Sequence, residues 1–311
     1  MSTPSKTGAA ALSVASNSAL ILLKAIAGTI TGSVALLTEA LHSATDLVAS
    51  IVALFSLRAA DAPADESHPY GHEKIEDMAA AIEGVLILVG SVVIAFEAVR
   101  HLIEGTGVQR LGIGMAVLAI SIVVNFLVSR TLSRRAVATS SPALAADAAH
   151  LTTDMLSSAG VLVALALVVA TGWDWLDPVV ALMVAAVVAV AGVRILTRSS
   201  RVLVDETLPD AEIEAIGDVV AAFAERGIVG YHELRARQAG ANRHIDLHVQ
   251  FRDGMSLEEA HGTAHKLQDA IRERLGPADV LIHLEPEDRV RPGHEVTTGE
   301  RTLTRRRPTA G

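Results

Sequence analysis

Hydrophobic residues are concentrated in long blocks, and polar residues collect in the short connections between them and in the C-terminal third of the chain. Each of six blocks is close to or longer than the roughly 20 residues with which a helix crosses a bilayer. The pattern therefore predicts an α-helical polytopic membrane protein whose six transmembrane helices occupy residues 8–201. The six blocks cover residues 10–31, 33–58, 76–102, 112–133, 142–170 and 176–197.

Residues 208–289 follow a different pattern, in which amphipathic helical periods alternate with runs of period two. The order of these elements, αββαβ, predicts a small open sheet backed by helices, in a separate C-terminal α/β domain. The Pro-, Thr- and Arg-rich residues 290–311 are expected to form a disordered tail. Helices are predicted from residue 210 to about 226 and over 256–275, and strands over 231–237, 243–251 and 279–284.

Composition limits the chemistry that the chain can perform. It has 311 residues, half of them hydrophobic, with 12 histidines and no cysteine. Disulfides and thiolate metal sites are therefore excluded, and a metal has to be held by His, Asp or Glu. The net charge of -9 argues against a nucleic-acid partner. Residues 208–289 contain sixteen acidic and nine basic side chains, so the surface of this domain should attract cations.

Basic residues are distributed unevenly between the two ends of the predicted spans. One side carries only Arg100 and Arg110. Because positively charged loops stay in the cytoplasm, and because the number of spans is even, the N- and C-termini are both predicted to be cytoplasmic. The other side carries Lys6, Arg58, Lys74, Arg130, Arg134, Arg135, Arg194, Arg198 and Arg201.

Two predicted spans contain the same pattern: an acid, Ala, any residue, His, two residues, Thr and Asp. The copies occupy residues 39–46 and 147–154. In each copy His and Asp are four residues apart and share a helix face. One such pair would be explained by an interhelical hydrogen bond, but two matched copies favour an ion path, because ionisable groups in a bilayer are costly. Two facing helices would form a tetrahedral N2O2 site suited to zinc. The predicted ligands are His42, Asp46, His150 and Asp154.

The predicted loop between the second and third spans carries Asp65, His68 and His72. This spacing suits either a metal site or a polar turn whose histidines face water. Lys24 and Glu83 are further charged residues inside predicted spans, and the pattern assigns them no role.

In the C-terminal domain, polar residues of strands share faces. His283 and Glu285 are two residues apart, and His244, Asp246 and His248 alternate along another strand. A metal site and an ordinary polar sheet face are both compatible with this pattern.

Three motifs together resemble the cation diffusion facilitator family over residues 8–288. They are LHSATD at 41–46, HPYGHEK at 68–74 and HLTTD at 150–154. The resemblance implies a six-helix bundle with a cytoplasmic metallochaperone-like, ferredoxin-like domain, working as a homodimer. The connection between the fourth and fifth spans has no histidine run, which favours a bacterial type in the cell inner (plasma) membrane.

The resemblance also implies roles for individual residues. The transport site falls on the four ligands named above, and the loop residues Asp65, His68 and His72 become a second metal site. Most relatives have Asp at the position of Glu285, and Glu is the longer side chain. The resemblance assigns no ligand role to His244 or His265, which are expected on the surface. Lys74 and Asp205 are implied to form a salt-bridge interlock at the dimer interface. A binuclear zinc site is implied at His232, His248, His261, His283 and Glu285.

The expected function is efflux of a divalent metal ion, with Zn²⁺ preferred, by metal/proton antiport across the cytoplasmic membrane. Zn²⁺ is expected both as substrate and as a structural or regulatory ion, and no enzymatic activity or catalytic residue is expected. Transport of iron, cobalt, nickel or cadmium is the main alternative. An intramembrane zinc hydrolase is a weaker one because no His-Glu-x-x-His motif occurs, and a metal sensor is a third. The expected partners are a second copy of the chain, the lipid bilayer, divalent metal ions and protons.

Overall fold

The computed structural model describes residues 5–31, 34–104, 112–173, 175–290 and Val296. Contacts divide the chain into two compact units, Met1–Leu203 and Val204–Gly311. Within the described ranges, side chains are described except at residues 31–39, 41, 42, 45, 104, 112–114, 165 and 169.

The first unit is built from six long helices. They are α1 (Lys6–Thr31), α2 (Val34–Ala60), α3 (Lys74–Glu104), α4 (Gly112–Thr139), α5 (Pro142–Thr171) and α6 (Leu176–Leu203). Among the described residues, five segments are long and apolar enough to cross a membrane, and they belong to α1, α3, α4, α5 and α6. The side chains of α2 are described only in part, so this comparison covers less of that helix. The predicted helical membrane-spanning region is confirmed.

Helix α1 contacts α2, α4 and α5, and α5 also packs against α2, α4 and α6. Helix α3 pairs closely with α6 and also touches α2 and α5. Glycines bring α3 and α6 together: a Cβ at Gly84 would lie 2.9 Å from the backbone nitrogen of Leu196, and one at Gly192 would lie 3.1 Å from the oxygen of Gly84. Large apolar side chains remain exposed on the outside, as at Ile103, which is 79% exposed. Such a surface suits lipid rather than water.

A buried polar group fastens three of these helices at one end. Glu76 on α3 accepts a hydrogen bond from Lys6 Nζ at 2.7 Å and another from the hydroxyl of Ser141. Ser141 is also the N-cap of α5, where its side chain accepts from the Leu144 N–H and Pro142 follows at the first helical position. One acidic side chain therefore links the start of α1, α3 and α5.

The second unit contains α7 (Asp210–Ala221), β1 (Ile228–Ala239), β2 (Asn242–Phe251), α8 (Leu257–Leu275) and β3 (Ala278–Pro286). The predicted αββαβ order is confirmed. Helix α7 ends at Ala221, before the predicted boundary at about residue 226, and a short 3₁₀ turn follows at 224–226.

The sheet has the order β1-β2-β3, with β1 antiparallel and β3 parallel to β2. Ile245, Leu247 and Val249 are buried from alternate positions of β2 and share a core with Leu267 and Ile271 of α8. The residues between them on β2 therefore point to the opposite face. The predicted tail over 290–311 lies outside the described residues except at its first residue and at Val296, whose N–H donates to the Val229 carbonyl at 2.9 Å.

Candidate metal centre

Three of the four predicted transport ligands converge between α2 and α5. His150 Nε2 lies 3.3 Å from Asp46 Oδ1 and 3.7 Å from Asp154 Oδ2. One donor atom from each residue falls within 4.8 Å of the others, a separation that one metal ion can bridge. Asp46 and His150 are buried and Asp154 is partly so. Three ionisable groups are thus collected in the interior of an apolar bundle.

Helical spacing explains why these residues meet. His150 and Asp154 are one turn apart on α5 and face the same way. His42 lies in α2 one turn before Asp46. The same spacing of four residues places it on the face of α2 that carries Asp46. The side chain of His42 lies outside the described residues, so its part in the site stays a prediction.

Hydroxyl and amide side chains surround the acid that begins the second sequence copy. Asp147 Oδ1 accepts from the hydroxyls of Ser13 at 3.1 Å and Ser50 at 3.2 Å. Asn17 Nδ2 donates to the same Ser50 hydroxyl at 2.8 Å. This polar group was missed at the sequence level, although the repeated acid in the two copies was a signal for Asp147. A serine or asparagine in an apolar helix gives no comparable signal.

The two charged residues left without a role take different positions. Lys24 Nζ donates to the Ser43 hydroxyl at 2.7 Å, so this buried cation is bonded to the residue beside His42. Glu83 on α3 is fully buried, and neither of its carboxylate oxygens has a hydrogen-bond partner among the described residues.

The loop residues also form a compact group. Asp65 Oδ1 lies 3.3 Å from His68 Nδ1, and Asp65 Oδ2 lies 3.4 Å from His72 Nε2. The Ser67 hydroxyl donates to Asp65 at 2.8 Å and the His68 N–H at 2.7 Å. These hydrogen bonds, that of Ser67 first, lower the pKa of Asp65 from 3.8 to about 2. The exposed carboxylate is therefore charged at neutral pH and faces two imidazoles.

In the second unit, Glu285 is held from three sides. His232 Nε2 donates to it at 2.8 Å, His248 Nδ1 at 2.9 Å and Gln250 Nε2 at 2.6 Å. Partial burial acts to raise the pKa of Glu285, but the hydrogen bonds from Gln250, His232 and His248 outweigh it and bring the pKa down from 4.5 to about 2. Sheet register produces this group, because His232 pairs with His248 across β1 and β2 and Gln250 pairs with Glu285 across β2 and β3.

The other two predicted ligands of this domain make no hydrogen bond to that carboxylate among the described residues. His283 is 64% exposed, with Nε2 4.0 Å from Glu285 Oε1. The sheet group consists of His232, His248 and Glu285. His261 does not belong to it: His261 is on α8, and its Nε2 lies 3.1 Å from Nε2 of His265. Its role as a ligand stays a prediction. His244, expected on the surface, is instead mostly covered, with a side chain 13% exposed beside Asp279.

Two neighbours of the sheet group gave no sequence signal. Gln250 is fully buried, and its amide donates a hydrogen bond to Glu285. Glu233 has a positive φ of 51° at a register shift in β1, and its Oε2 lies 3.7 Å from His248 Nε2. Such a conformation is uncommon for a residue with a side chain, and here it turns a carboxylate towards the histidines.

The two residues of the predicted interlock are each bonded within their own unit. Lys74 Nζ donates to the Leu203 carbonyl at 3.4 Å, and Arg237 Nη1 donates to Asp205 Oδ1 at 3.2 Å. Pairing of Lys74 with Asp205 stays a prediction.

Comparison with known families accounts for nearly all of the helices and strands. Residues 10–204 match the cation efflux transmembrane domain, and residues 208–287 match the cytoplasmic domain of cation efflux proteins. The chain belongs to the cation efflux family. The resemblance to cation diffusion facilitators is therefore confirmed, and the chain is an integral membrane transporter with a dimerisation domain.

Individual relatives cover both domains of this cation efflux protein. The uncharacterised transporter sll1263 of Synechocystis sp. is 37% identical over 277 residues, which is 89% of each chain. The cation-efflux pump FieF of Salmonella newport is 33% identical over 281 residues, 89% of this chain and 92% of its own. Among solved structures, the zinc form of CzrB, described as a candidate zinc transporter, is 29% identical; the match covers 28% of this chain and 98% of its own, with a TM-score of 0.24.

The donor sets of the cation efflux protein share one chemical character. Each of the three groups combines imidazole nitrogen with carboxylate oxygen: Asp46 with His150 and Asp154, Asp65 with His68 and His72, and Glu285 with His232 and His248. Nitrogen and oxygen donors without sulfur suit zinc and other first-row divalent ions. The groups differ in burial, since the first is enclosed by helices and the second is largely exposed.

Proposed function

We propose that this cation efflux protein exports Zn²⁺ from the cytoplasm across the inner membrane in exchange for protons. The proposed assembly is a homodimer with both termini in the cytoplasm. The observation that carries the proposal is the buried group of Asp46, His150 and Asp154 between α2 and α5. Ionisable residues that face one another inside a membrane bundle ordinarily mark an ion path.

Proton exchange follows from the chemistry of the donors. A metal ion binds deprotonated ligands, so protons and metal compete for the same site. A histidine ligand can hold either a proton or a metal ion, which allows the exchange to run in both directions. A pH gradient can then drive metal outward as the bundle alternates between two access states around the site.

The other two groups are proposed to act outside the transport step. The exposed loop group of Asp65, His68 and His72 is a second site in the same unit, and the sheet group around Glu285 is a structural or regulatory site. Bound Zn²⁺ would offset the acidic charge of the domain and so favour contact between two copies.

The experiment is a metal panel in proteoliposomes with an imposed pH gradient. Zn²⁺, Cd²⁺, Fe²⁺, Co²⁺ and Ni²⁺ are offered one at a time, and flux is measured with the gradient present and after its collapse by a protonophore. Zn²⁺ flux that exceeds the others and falls when the gradient is collapsed supports the proposal. Preference for another metal would replace zinc, and metal flux that ignores the gradient would refute proton exchange.

A further inference from the structure

Glu83 stands out among the buried acids of the first unit. It lies on α3, nine residues after Lys74, and its exposure is 0%. Both carboxylate oxygens lack a hydrogen-bond partner among the described residues. An ionised carboxylate in this position would lose its hydration without compensation, so it requires either a proton or a nearby cation.

A second acid with a free oxygen faces the same region. Asp147 is also fully buried, and its Oδ1 is bonded by Ser13 and Ser50. Its Oδ2 has no partner in the described part of the chain. Asp147 lies one helical turn before His150 on α5 and so shares a face with it. Two buried carboxylates with unpaired oxygens, both of Glu83 and one of Asp147, thus lie near the proposed transport site.

The charged groups around Glu83 can be named helix by helix. Asp147 and His150 of α5 are the titratable groups that act on it electrostatically. Among the described side chains of α2, the buried acid is Asp46, which faces His150. On α6, residues 178–193 contain no ionisable side chain, and Arg194 is exposed. Of the described basic side chains on these helices, His150 acts on Glu83, but it is also a proposed metal ligand, so no separate cation neutralises this acid.

Glu76 provides an internal contrast for a structural role. It lies two turns earlier on the same helix and is 2% exposed, but Lys6 and Ser141 bond both of its oxygens. A buried acid that serves packing is satisfied in this way. Glu83 has the same burial without the partners, which points to an exchangeable ligand.

We propose that Glu83 and Asp147 form a proton-binding pair that carries a counter-ion for the metal. When the transport site is empty, one proton on the carboxyl of Glu83 removes the repulsion between the two acids. Entry of a divalent ion at Asp46, His150 and Asp154 favours the ionised pair, so the O–H bond of Glu83 breaks and the proton leaves to water as H⁺. Protonation from the opposite side reverses the step and weakens metal binding by the same coupling. This inference rests on the proposed metal/proton exchange.

The test measures protons released per Zn²⁺ bound to the purified full-length dimer in weakly buffered detergent solution. Glu83→Gln keeps the shape of the protonated side chain but has no proton to release. We expect it to bind Zn²⁺ and to release about one proton fewer per ion than the wild type. Glu83→Asp restores a carboxyl group and should restore most of that release. Glu97→Gln is the matched control, because Glu97 lies on the same helix, is exposed and is paired with Arg100 at 3.8 Å.

The outcomes separate this inference from the proposed function. If wild-type protein releases protons on binding Zn²⁺ and Glu83→Gln releases as many, the pair is not the carrier. If the wild type binds Zn²⁺ but neither releases protons nor couples flux to pH, the exchange itself is refuted. Should Glu83→Gln fail to fold, Asp147→Asn carries the same test, since its amide can still accept from Ser13 and Ser50. An unchanged proton count in that variant overturns the pair.

Discussion

The candidate metal group between the helices and the one in the sheet are assembled by different kinds of structure. Between α2 and α5, the donor atoms of Asp46, His150 and Asp154 approach to 3.3 and 3.7 Å, on helices that meet only through side chains. In the sheet, Glu285 is bonded at 2.6–2.9 Å to side chains on neighbouring strands that backbone hydrogen bonds hold in register. A group shared by two helices can change when the helices move, whereas a group within one sheet cannot.

The carboxylates around the two groups also differ in how many hydrogen bonds they accept. Around the helical group, Glu83 and the second oxygen of Asp147 have no hydrogen-bond partner among the described residues. Around the sheet group, Gln250 fixes the carboxylate from a fully buried position. Open carboxylate oxygens suit a site that exchanges its ions, and a carboxylate bonded by three side chains suits a site that retains them. The predictions below test this division of roles.

Removal of one helical ligand should have the largest effect. Asp154→Ala should reduce Zn²⁺ flux in proteoliposomes to background, because the site loses a charged donor, while the dimer stays folded and the sheet group still binds metal. Ser157→Ala is the matched control, since this hydroxyl lies one turn away and, among the described residues, donates to the Thr153 carbonyl at 3.0 Å. Normal Zn²⁺ flux in Asp154→Ala would remove this residue from the transport site.

A change of donor type at His42 should alter selectivity without abolishing transport. An imidazole offers one donor atom, whereas a carboxylate offers two and can widen the coordination shell for the larger Cd²⁺. His42→Asp should therefore admit Cd²⁺ and keep Zn²⁺ flux. Paired flux measurements check this. Wild-type protein that already carries both ions equally would show that His42 does not select.

Loss of the sheet ligands should weaken closure, the Zn²⁺-dependent approach of the two C-terminal domains in the dimer, and should spare transport. His232→Ala combined with His283→Ala should lower Zn²⁺ affinity at the sheet group by about tenfold or more. The chain has no cysteine, so a single label can be attached at Asp269→Cys, an exposed position on α8. In the dimer this label reports the distance between the C-terminal domains of the two copies. We expect smaller Zn²⁺-dependent changes in that distance and nearly normal flux. Complete loss of flux would place the sheet group on the transport path.

His265→Ala serves as the control for that double variant. His265 is exposed on α8 and belongs to none of the three groups of donors. Closure and flux should both stay normal. A defect as large as that of the double variant would mean that the pair of His261 and His265 contributes to metal binding.

The sequence could predict what depends on local periodicity. Block length gave the helical membrane region, alternation gave the αββαβ order, and the spacing of four put His150 and Asp154 on one face. The matched motif copies also indicated that Asp46 and His150 would meet, but contacts between distant residues that no repeated motif marks were out of reach. Glu83 and Asp147 are brought together by the packing of α3 on α5, and Gln250 reaches Glu285 only through the parallel register of β2 and β3. Neither the packing of two helices nor the register of two strands can be predicted from the residue pattern of a single segment.

The smallest effect concerns the charge of Glu285 in the absence of metal. Glu285→Gln keeps the size of the side chain but removes the charge from its hydrogen bonds with His232 and His248, which should cost about 1–2 kcal/mol at neutral pH. The folded pKa of about 2 lies below the ordinary 4.5, so this contribution is present above pH 4.5 and is lost as pH falls towards 2. Thermal unfolding of the metal-free protein should therefore separate wild type from variant at pH 7 and bring them together near pH 2–3. A difference in unfolding temperature that does not change across this range would show that the carboxylate charge does not stabilise the sheet group.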